Sequence, residues 1–413
     1  MAALFQLTAR RVSTPAGIAP CQLGESPTWD EEHQALWWID ILGEALYVGQ
    51  PAPDSMRDFD HVAVLPLRGH RPGFIVHAAA EDAAGTEKPA MQNATPYHAV
   101  WGSQKGLYYT SYSTALPWRI SGQACLLPQL DAMMPVLHYQ IARFPQSLFP
   151  LQGGRVYRFN DGKVGPDNSL CCGGMMERTD SFPRRDRASG SLMRWAAGGP
   201  PNALPSSSPS VTTDGFSVEV PNVTVSNGIG WSPAGDVLYH VDTTAAVIRA
   251  FPYQAASPAE GPARGLHREE GTREPRYVYW ALPGALRERG ATLDGLCVDA
   301  SGAVWVALAG IGEVVRLQDR KVGATVAERI AITGVVRLPE VALCTSCCFG
   351  GADLTTLYIT TARGTSKEAA ASCKQDGAGW IYAVNLKGIA KGMPAARLRL
   401  PAFSLSALQQ HHL

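Results

Sequence analysis

Residues 21–49 read CQLGESPTWDEEHQALWWIDILGEALYVG, three short apolar runs separated by two polar turns. Glu25 stands four positions before Trp29, a polar turn follows, and the apolar run Ala35 to Ile39 closes at Asp40 before a second turn and a further run. Runs this short, bounded by turn-forming residues, predict strand, turn, strand, turn, strand. The frame returns three times. In SNGIGWSPAGDVLYHVD, Asn227 stands four before Trp231; in LDGLCVDASGAVWVAL, Asp294 stands four before Val298; in FNDGKVGPDNSL, Asn160 stands four before Val164. Glu25, Asn160, Asn227 and Asp294 are therefore equivalent positions.

Their spacing sets the architecture. Asn160 to Asn227 and Asn227 to Asp294 are each 67 residues, and Glu25 to Asn160 is about twice that. A fixed period of multi-stranded units marks a repeat fold, and about six such units fill the chain. Four-stranded units repeated around an axis form a β-propeller, which protects sheet edges by radial repetition. The expectation is an all-β, six-bladed β-propeller forming a single domain over residues 1–413, with large loop insertions near 51–150, 178–210 and 255–276. If each equivalent polar residue begins an inner strand, two carboxylates and two amide oxygens converge on the central channel, a donor set suited to a hard cation.

Composition narrows the partners. The 413 residues are 46% hydrophobic and 17% charged, enough for a substantial core. Lys plus Arg and Asp plus Glu both number 36, so no net field draws the chain to nucleic acid or to an anionic membrane. No apolar run approaches a membrane span and the first residues lack the core of a secretory signal; a cytoplasmic protein with no membrane and no nucleic-acid partner is expected, its oligomeric state open. Arg10 and Arg11 with no nearby acid give the N-terminus a faint presequence character, but an ordinary first strand is the stronger reading. Nine cysteines, an odd number, predict reduced thiols. The CxxCC cluster at Cys344, Cys347 and Cys348 lacks a second ligand pair for zinc and reads, like Cys171-Cys172, as buried strand.

Between the first and third units the pattern loosens. Short strand-like islands at Gly73 to His77, His98 to Trp101 and Gly106 to Tyr112 give a second unit, with Pro135 to Arg143 read as a short helix opened by proline and the remainder as an insertion able to cover the site. The last unit runs through TSCCFGGADLTTLYITTAR and GWIYAVNL, and Leu398 to Leu408 is expected to return near the N-terminus and close the ring.

No G-x-S-x-G, H-E-x-x-H, P-loop or Rossmann fingerprint is present. What is present, LGESPTWDEEHQALWWID, RFNDGKV, SNGIGWSPAGDVLYHVD, LDGLCVDASGAVWVAL and TSCCFGGADLTTLYITTAR in that order, resembles the gluconolactonase, regucalcin and senescence-marker-protein family of six-bladed propellers. The resemblance covers about half of the chain. It implies one divalent cation (Ca²⁺, Zn²⁺, Mn²⁺ or Mg²⁺) held by Glu25, Asn227 and Asp294, with Arg158 and Asn160 binding substrate and Asp294 doubling as general acid/base. The family's further acidic sugar contact falls by counting at Arg178, with Glu177 beside it as the acidic candidate. Leu293 replaces the proline usual before Asp294, and Cys171-Cys172 departs from the family's aromatic strand.

The implied activity is a metal-dependent lactonase opening a gluconolactone-like sugar lactone. The alternatives are a hydrolase of other esters or organophosphates on the same scaffold, since fold does not fix function, and a calcium-binding regulatory protein of the regucalcin type. Taken singly, Asn227-Gly228 and Asp294-Gly295 read as hairpin turns; their equivalence with Glu25 favours ligands. Asp161, in Asn-Asp-Gly, reads as a turn residue. Trp37, Trp38, Trp231, Trp305 and Tyr358 read as packing between blades, and His33 as a solvated turn residue.

Overall fold

A computed structural model describes residues 4–52, 55–80, 97–112, 125–126, 137–149, 154–179, 188–196, 215–254, 265–266, 277–320, 325, 329–400 and 410–411. Six small sheets, each built on four antiparallel strands, make a six-bladed β-propeller. The inner strands of blades one to six are Gly24–Asp30, Phe74–Ala80, Tyr157–Val164, Ser226–Trp231, Thr292–Val298 and Cys344–Gly350. Each packs against the next, and the sixth returns to the first, closing a ring. Among the described residues no helix is long and apolar enough to cross a membrane.

The recurring sequence frame has a backbone counterpart. The pairing between inner and second strands shifts register between Glu25 and Thr28, Phe159 and Gly162, Asn227 and Ile229, Leu293 and Leu296, and Cys344 and Ser346. A bulge bends its strand and re-aims side chains. Five blades therefore carry the same irregularity where the polar position falls, and in blade six that position is Thr345. Blade two shows no shift between Phe74 and His77, and its sequence carries no polar frame.

Ring closure differs from expectation. Phe5–Thr8 runs parallel to Ile330–Arg337 as an added strand of blade five, and Arg10–Arg11 pairs with Tyr382–Asn385 as the outer strand of blade six. The N-terminus thus covers the edges of the last two blades, edges that would otherwise offer unpaired backbone groups. Leu398–Leu400 instead runs parallel to Phe74–Ala80 of blade two; residues 401–409 lie outside the described set. Leu137–Arg143 is a strand paired with Gly106–Tyr112, not a helix, since tertiary pairing outweighs a proline start signal. The insertions expected near 178–210 and 255–276, and most of the possible covering segment, lie largely outside the described residues.

Aromatic side chains fill the seams between blades. Trp37, Trp101, Trp305 and Tyr358 are fully buried, and Trp29 of blade one stacks on Tyr358 of blade six with ring centroids 5.6 Å apart. The strand Cys344–Gly350 is buried throughout, as are Cys171 and Cys172. His33 is not solvated: Nδ1 lies 2.6 Å from Asp30 Oδ2 and the ring stacks on Tyr97.

Candidate functional site

The bulged ends of the inner strands open into a cavity of about 1360 Å³ on one face of the ring. Glu25, Arg158, Asn160, Glu177, Asn227 and Asp294 all line it, joined by Arg71 of blade two and Thr345 of blade six. The residues equated by spacing are thus brought together by the propeller axis. Two further conditions make this convergence possible. Gly228 and Gly295, the residues after Asn227 and Asp294, are not turn glycines, since neither has a positive φ. They allow neighbouring inner strands to approach: a Cβ on Gly228 would lie 2.8 Å from the Asp294 carbonyl oxygen, and one on Gly295 would lie 2.0 Å from Ser346 Oγ.

In blade one the bulge places Ser26 at φ 50°, a left-handed conformation unfavourable for a residue with a side chain. Ser26 is held there by the Ile75 N–H, which donates to its Oγ at 3.0 Å, and its own N–H donates to Glu25 Oε2 at 3.0 Å. The left-handed backbone at Ser26 thus aims its N–H at the Glu25 carboxylate, which lines the cavity.

A hydrogen-bonded chain runs round the wall. Arg71 Nη1 donates to Glu177 Oε2 at 2.9 Å, and Arg158 Nε donates to the other oxygen of Glu177. Arg158 Nη1 donates to Asn160 Oδ1 at 2.8 Å and to the Phe159 carbonyl at 2.7 Å. Asn160 Nδ2 donates to Asn227 Oδ1 at 3.0 Å and to the Ser226 carbonyl at 2.8 Å. Asn227 Nδ2 donates to Thr243 Oγ1 at 2.9 Å, and the Asn227 side chain is also hydrogen-bonded to Asp294. Asn160 spends both amide protons within the protein, so it offers a ligand only the remaining capacity of Oδ1.

The carboxylates repel one another. Burial first, then Asp294 and Asp161, pushes Glu25 well above the usual range. Burial and Asp161 raise Asp294 likewise, against the hydrogen bond from Asn227 and the Gly295 amide. Asp161 is pushed up to about 6 by desolvation, with Lys163 opposing. Asp161 is therefore not a turn residue: it lies in the strand Tyr157–Val164, inside the bulge between Phe159 and Gly162. It faces a second cavity of about 290 Å³ shared with Lys163, Ser26 and Ser346. Ser26 and Ser346, like Asp161, directly follow the polar position on their own strands. The bulge thus sends Asn160 and Asp161 to successive levels of one channel, which the dipeptide pattern of a hairpin turn conceals.

Clustered anionic and amide oxygens with raised carboxyl pKa values are what a hard cation would relieve. Among the described residues no group of three His, Cys, Asp or Glu side chains forms a metal cluster; the arrangement around Glu25 and Asp294 relies on the Asn227 amide for its third oxygen donor. Arg71 and Asp161 escaped the sequence reading, Arg71 because blade two lacks the frame. Thr345 did carry a signal, standing four before Phe349 in the same frame.

Comparison with known proteins agrees with this fold. Residues 23–363 match the model of the SMP-30/Gluconolactonase/LRE-like region. Regucalcin of Bos taurus is 30% identical over 377 residues, covering 91% of this chain and 94% of its own, and regucalcin of Gallus gallus is 26% identical over 377 residues, covering 90% and 93%. Among solved structures, a calcium-binding protein, regucalcin, from Agrobacterium tumefaciens superposes with a TM-score of 0.61 at 21% identity, covering 97% of this chain and all of the other. A luciferin-regenerating enzyme gives a TM-score of 0.58 at 18% identity over 95% of this chain and all of the other. With a match that spans every inner strand of the ring, the chain belongs to the SMP-30/gluconolactonase/LRE-like family.

Proposed function

We propose that the protein is a divalent-cation-dependent lactonase that opens a sugar lactone to its aldonic acid. The observation that carries this reading is the convergence of Glu25, Asn227 and Asp294 on one cavity with the guanidinium of Arg158. The donors fit a hard cation: two carboxylates crowded enough to repel, and an amide whose oxygen is oriented by Asn160. The family and its regucalcin members support the same assignment.

A lactone is an ester, and water attacking it builds negative charge on the carbonyl oxygen. When bound, the cation supplies Lewis-acid stabilisation of that charge. The chain supplies the rest. The Asp294 carboxylate accepts the proton of the attacking water and returns it to the ring oxygen as the acyl–oxygen bond breaks, so that one water is consumed and a hydroxy acid released. Arg158 has its Nε and Nη1 committed to Glu177, Asn160 and Phe159, which holds the guanidinium rigid and, among the described residues, leaves Nη2 to meet a substrate oxygen. Fixing the substrate this way lowers the entropic part of the barrier.

The test is a panel of sugar lactones, simple esters and organophosphates assayed with and without chelator. Lactone hydrolysis lost on chelation and restored by added Ca²⁺, Zn²⁺, Mn²⁺ or Mg²⁺ is expected. Tight cation binding without turnover of any member would replace the enzyme by a cation-binding protein.

A further inference from the structure

Blades two and three make the cavity wall carrying Arg71, Arg158, Glu177 and Arg178, whereas the proposed cation donors come from blades one, four and five. On that wall one carboxylate serves two guanidinium groups: Glu177 accepts from Arg158 with Oε1 and from Arg71 with Oε2. Among the described residues one positive charge is left over. Arg178 adds another, since it is exposed, lines the same cavity and makes no ion pair among the described residues. The cavity as a whole is lined by five cationic side chains and four carboxylates, and two of those carboxylates, Glu25 and Asp294, belong to the proposed cation.

Arg71 is placed to use this excess. Among the described residues its guanidinium makes a single hydrogen bond, from Nη1, and its side chain is 34% exposed against 5% for Arg158. Its loop is clamped. The Arg71 N–H donates to Gln104 Oε1 at 2.9 Å, Gln104 Nε2 donates to the Gly69 carbonyl at 2.9 Å, and the Gly69 N–H donates to Glu44 Oε2 at 2.8 Å. His70 beside it is buried edge-on against Trp101 and Tyr108. A guanidinium fixed by its backbone, half tied by Glu177 and open on its other edge, is preorganised for a planar or tetrahedral anion.

We infer that the substrate carries an anionic group, a phosphate or a carboxylate, at the end remote from its lactone carbonyl, and that Arg71 selects it. The inference rests on the lactonase reading of the same cavity and narrows its substrate class. A neutral sugar leaves the excess charge on this wall unanswered; an anion answers it while the carbonyl lies at the axis.

The experiment compares glucono-1,5-lactone, its 6-phosphate and glucaro-1,4-lactone as substrates of the wild-type protein and of Arg71→Ala, Arg71→Gln and Arg71→Lys. Arg71→Gln retains a donor for Glu177, so a general collapse of the wall is separated from loss of charge. The expected result is a lower KM for one of the anionic lactones than for the neutral one. Both Arg71→Ala and Arg71→Gln should raise that KM about ten- to a hundredfold, the scale of a charge-assisted hydrogen bond. In Arg71→Gln, which keeps a donor to Glu177, the rise in KM for the anionic lactone should exceed any change in kcat or in the KM for the neutral lactone by about tenfold, and Arg71→Lys should recover part of the loss. Added salt should raise KM for the anionic lactone alone. Calorimetric binding of glucitol, which is neutral, and of glucitol 6-phosphate is measured in parallel. If no lactone is hydrolysed the lactonase reading fails, yet phosphate-selective binding that disappears in Arg71→Gln still upholds the anion site. Equal KM and equal binding for neutral and anionic compounds, or an Arg71→Gln effect of the same size on both, overturns the inference; whichever anion is favoured identifies the group.

Discussion

Asn160 Nδ2 donates to Asn227 Oδ1 at 3.0 Å, joining two residues 67 positions apart in the chain and equivalent in their blades. With the Asn227 side chain also bonded to Thr243 and Asp294, this contact fixes which face of the Asn227 amide turns to the cavity. Asn160 is in turn oriented by Arg158, and Arg158 by Glu177. One connected network therefore links the wall of blade two to the acid of blade five.

Asn160→Ala is accordingly expected to weaken the binding of a divalent cation about ten- to a hundredfold, the usual cost of losing a group that orients a ligand. Glu25 and Asp294 keep their own supports, so the fold should persist. Titration calorimetry with Ca²⁺ on the folded variant is the measurement; unchanged affinity would show that Asn227 needs no help from Asn160.

A second expectation concerns Asp161 in protein stripped of metal. Its carboxyl moves from an ordinary 3.8 to about 6 on folding because it is withdrawn from water. A raised carboxyl pKa means that the native state binds the proton more tightly than the unfolded chain does, so the stability penalty is absent below about pH 4, grows through pH 6 and is complete above it. Asp161→Asn removes the penalty and should stabilise the metal-free protein at pH 7.5 by on the order of 1–3 kcal/mol. Urea unfolding at pH 7.5 and pH 4 decides the matter. A wild-type protein more stable than the variant at pH 7.5, or a gain that persists undiminished at pH 4, contradicts the assignment.

The glycines give a test of the ring itself. A Cβ on Gly295 would meet Ser346 Oγ at 2.0 Å and Ser346 Cα at 2.8 Å, whereas one on Gly284 meets nothing within 4 Å. Gly295→Ala should cost about 1–3 kcal/mol, as overpacking does, and should also displace Asp294 and lower activity. Gly284→Ala, in the short helix Gly284–Glu288, should be neutral or slightly stabilising. Thermal unfolding of both variants suffices; equal stability would mean that blades five and six do not approach as closely as described.

What the sequence made legible follows from how each feature is encoded. Glu25, Asn160, Asn227 and Asp294 could be aligned because five blades repeat the same bulge, and a repeated backbone irregularity leaves a repeated sequence frame. Asp161 was misread because Asn-Asp-Gly has the same composition in a bulge as in a hairpin turn, and only the pairing partners distinguish the two. Arg71 has no frame to reveal it: it precedes an unbulged strand and reaches the cavity through a loop clamped by Gln104 and Glu44. Ring closure by Phe5–Thr8 and Arg10–Arg11 rests on two strands too short to carry a periodic signal, and their partners lie more than 300 residues away.

The remaining expectation separates the two roles proposed for Asp294. Asp294→Asn keeps the size and an oxygen donor but removes the charge and the proton acceptor. The variant also loses a carboxylate from the Glu25–Asp161–Asp294 group, so the metal-free form should be more stable than wild type at neutral pH, because the repulsion that raises Glu25 is relieved. If Asp294 only held the cation, turnover by the Asp294→Asn variant should be nearly normal at saturating metal, since Asn227 already presents an amide to the same site. If Asp294 moves the proton of the attacking water, kcat should fall roughly a hundredfold or more even at full occupancy, the usual scale for losing a general base. The informative measurement is kcat for a lactone with metal stoichiometry determined on the same sample. Near wild-type turnover in a fully loaded Asp294→Asn protein would leave Asp294 as a ligand alone and move the proton transfer to another group, of which the raised carboxyl of Asp161, one level down the channel, is the nearest in kind.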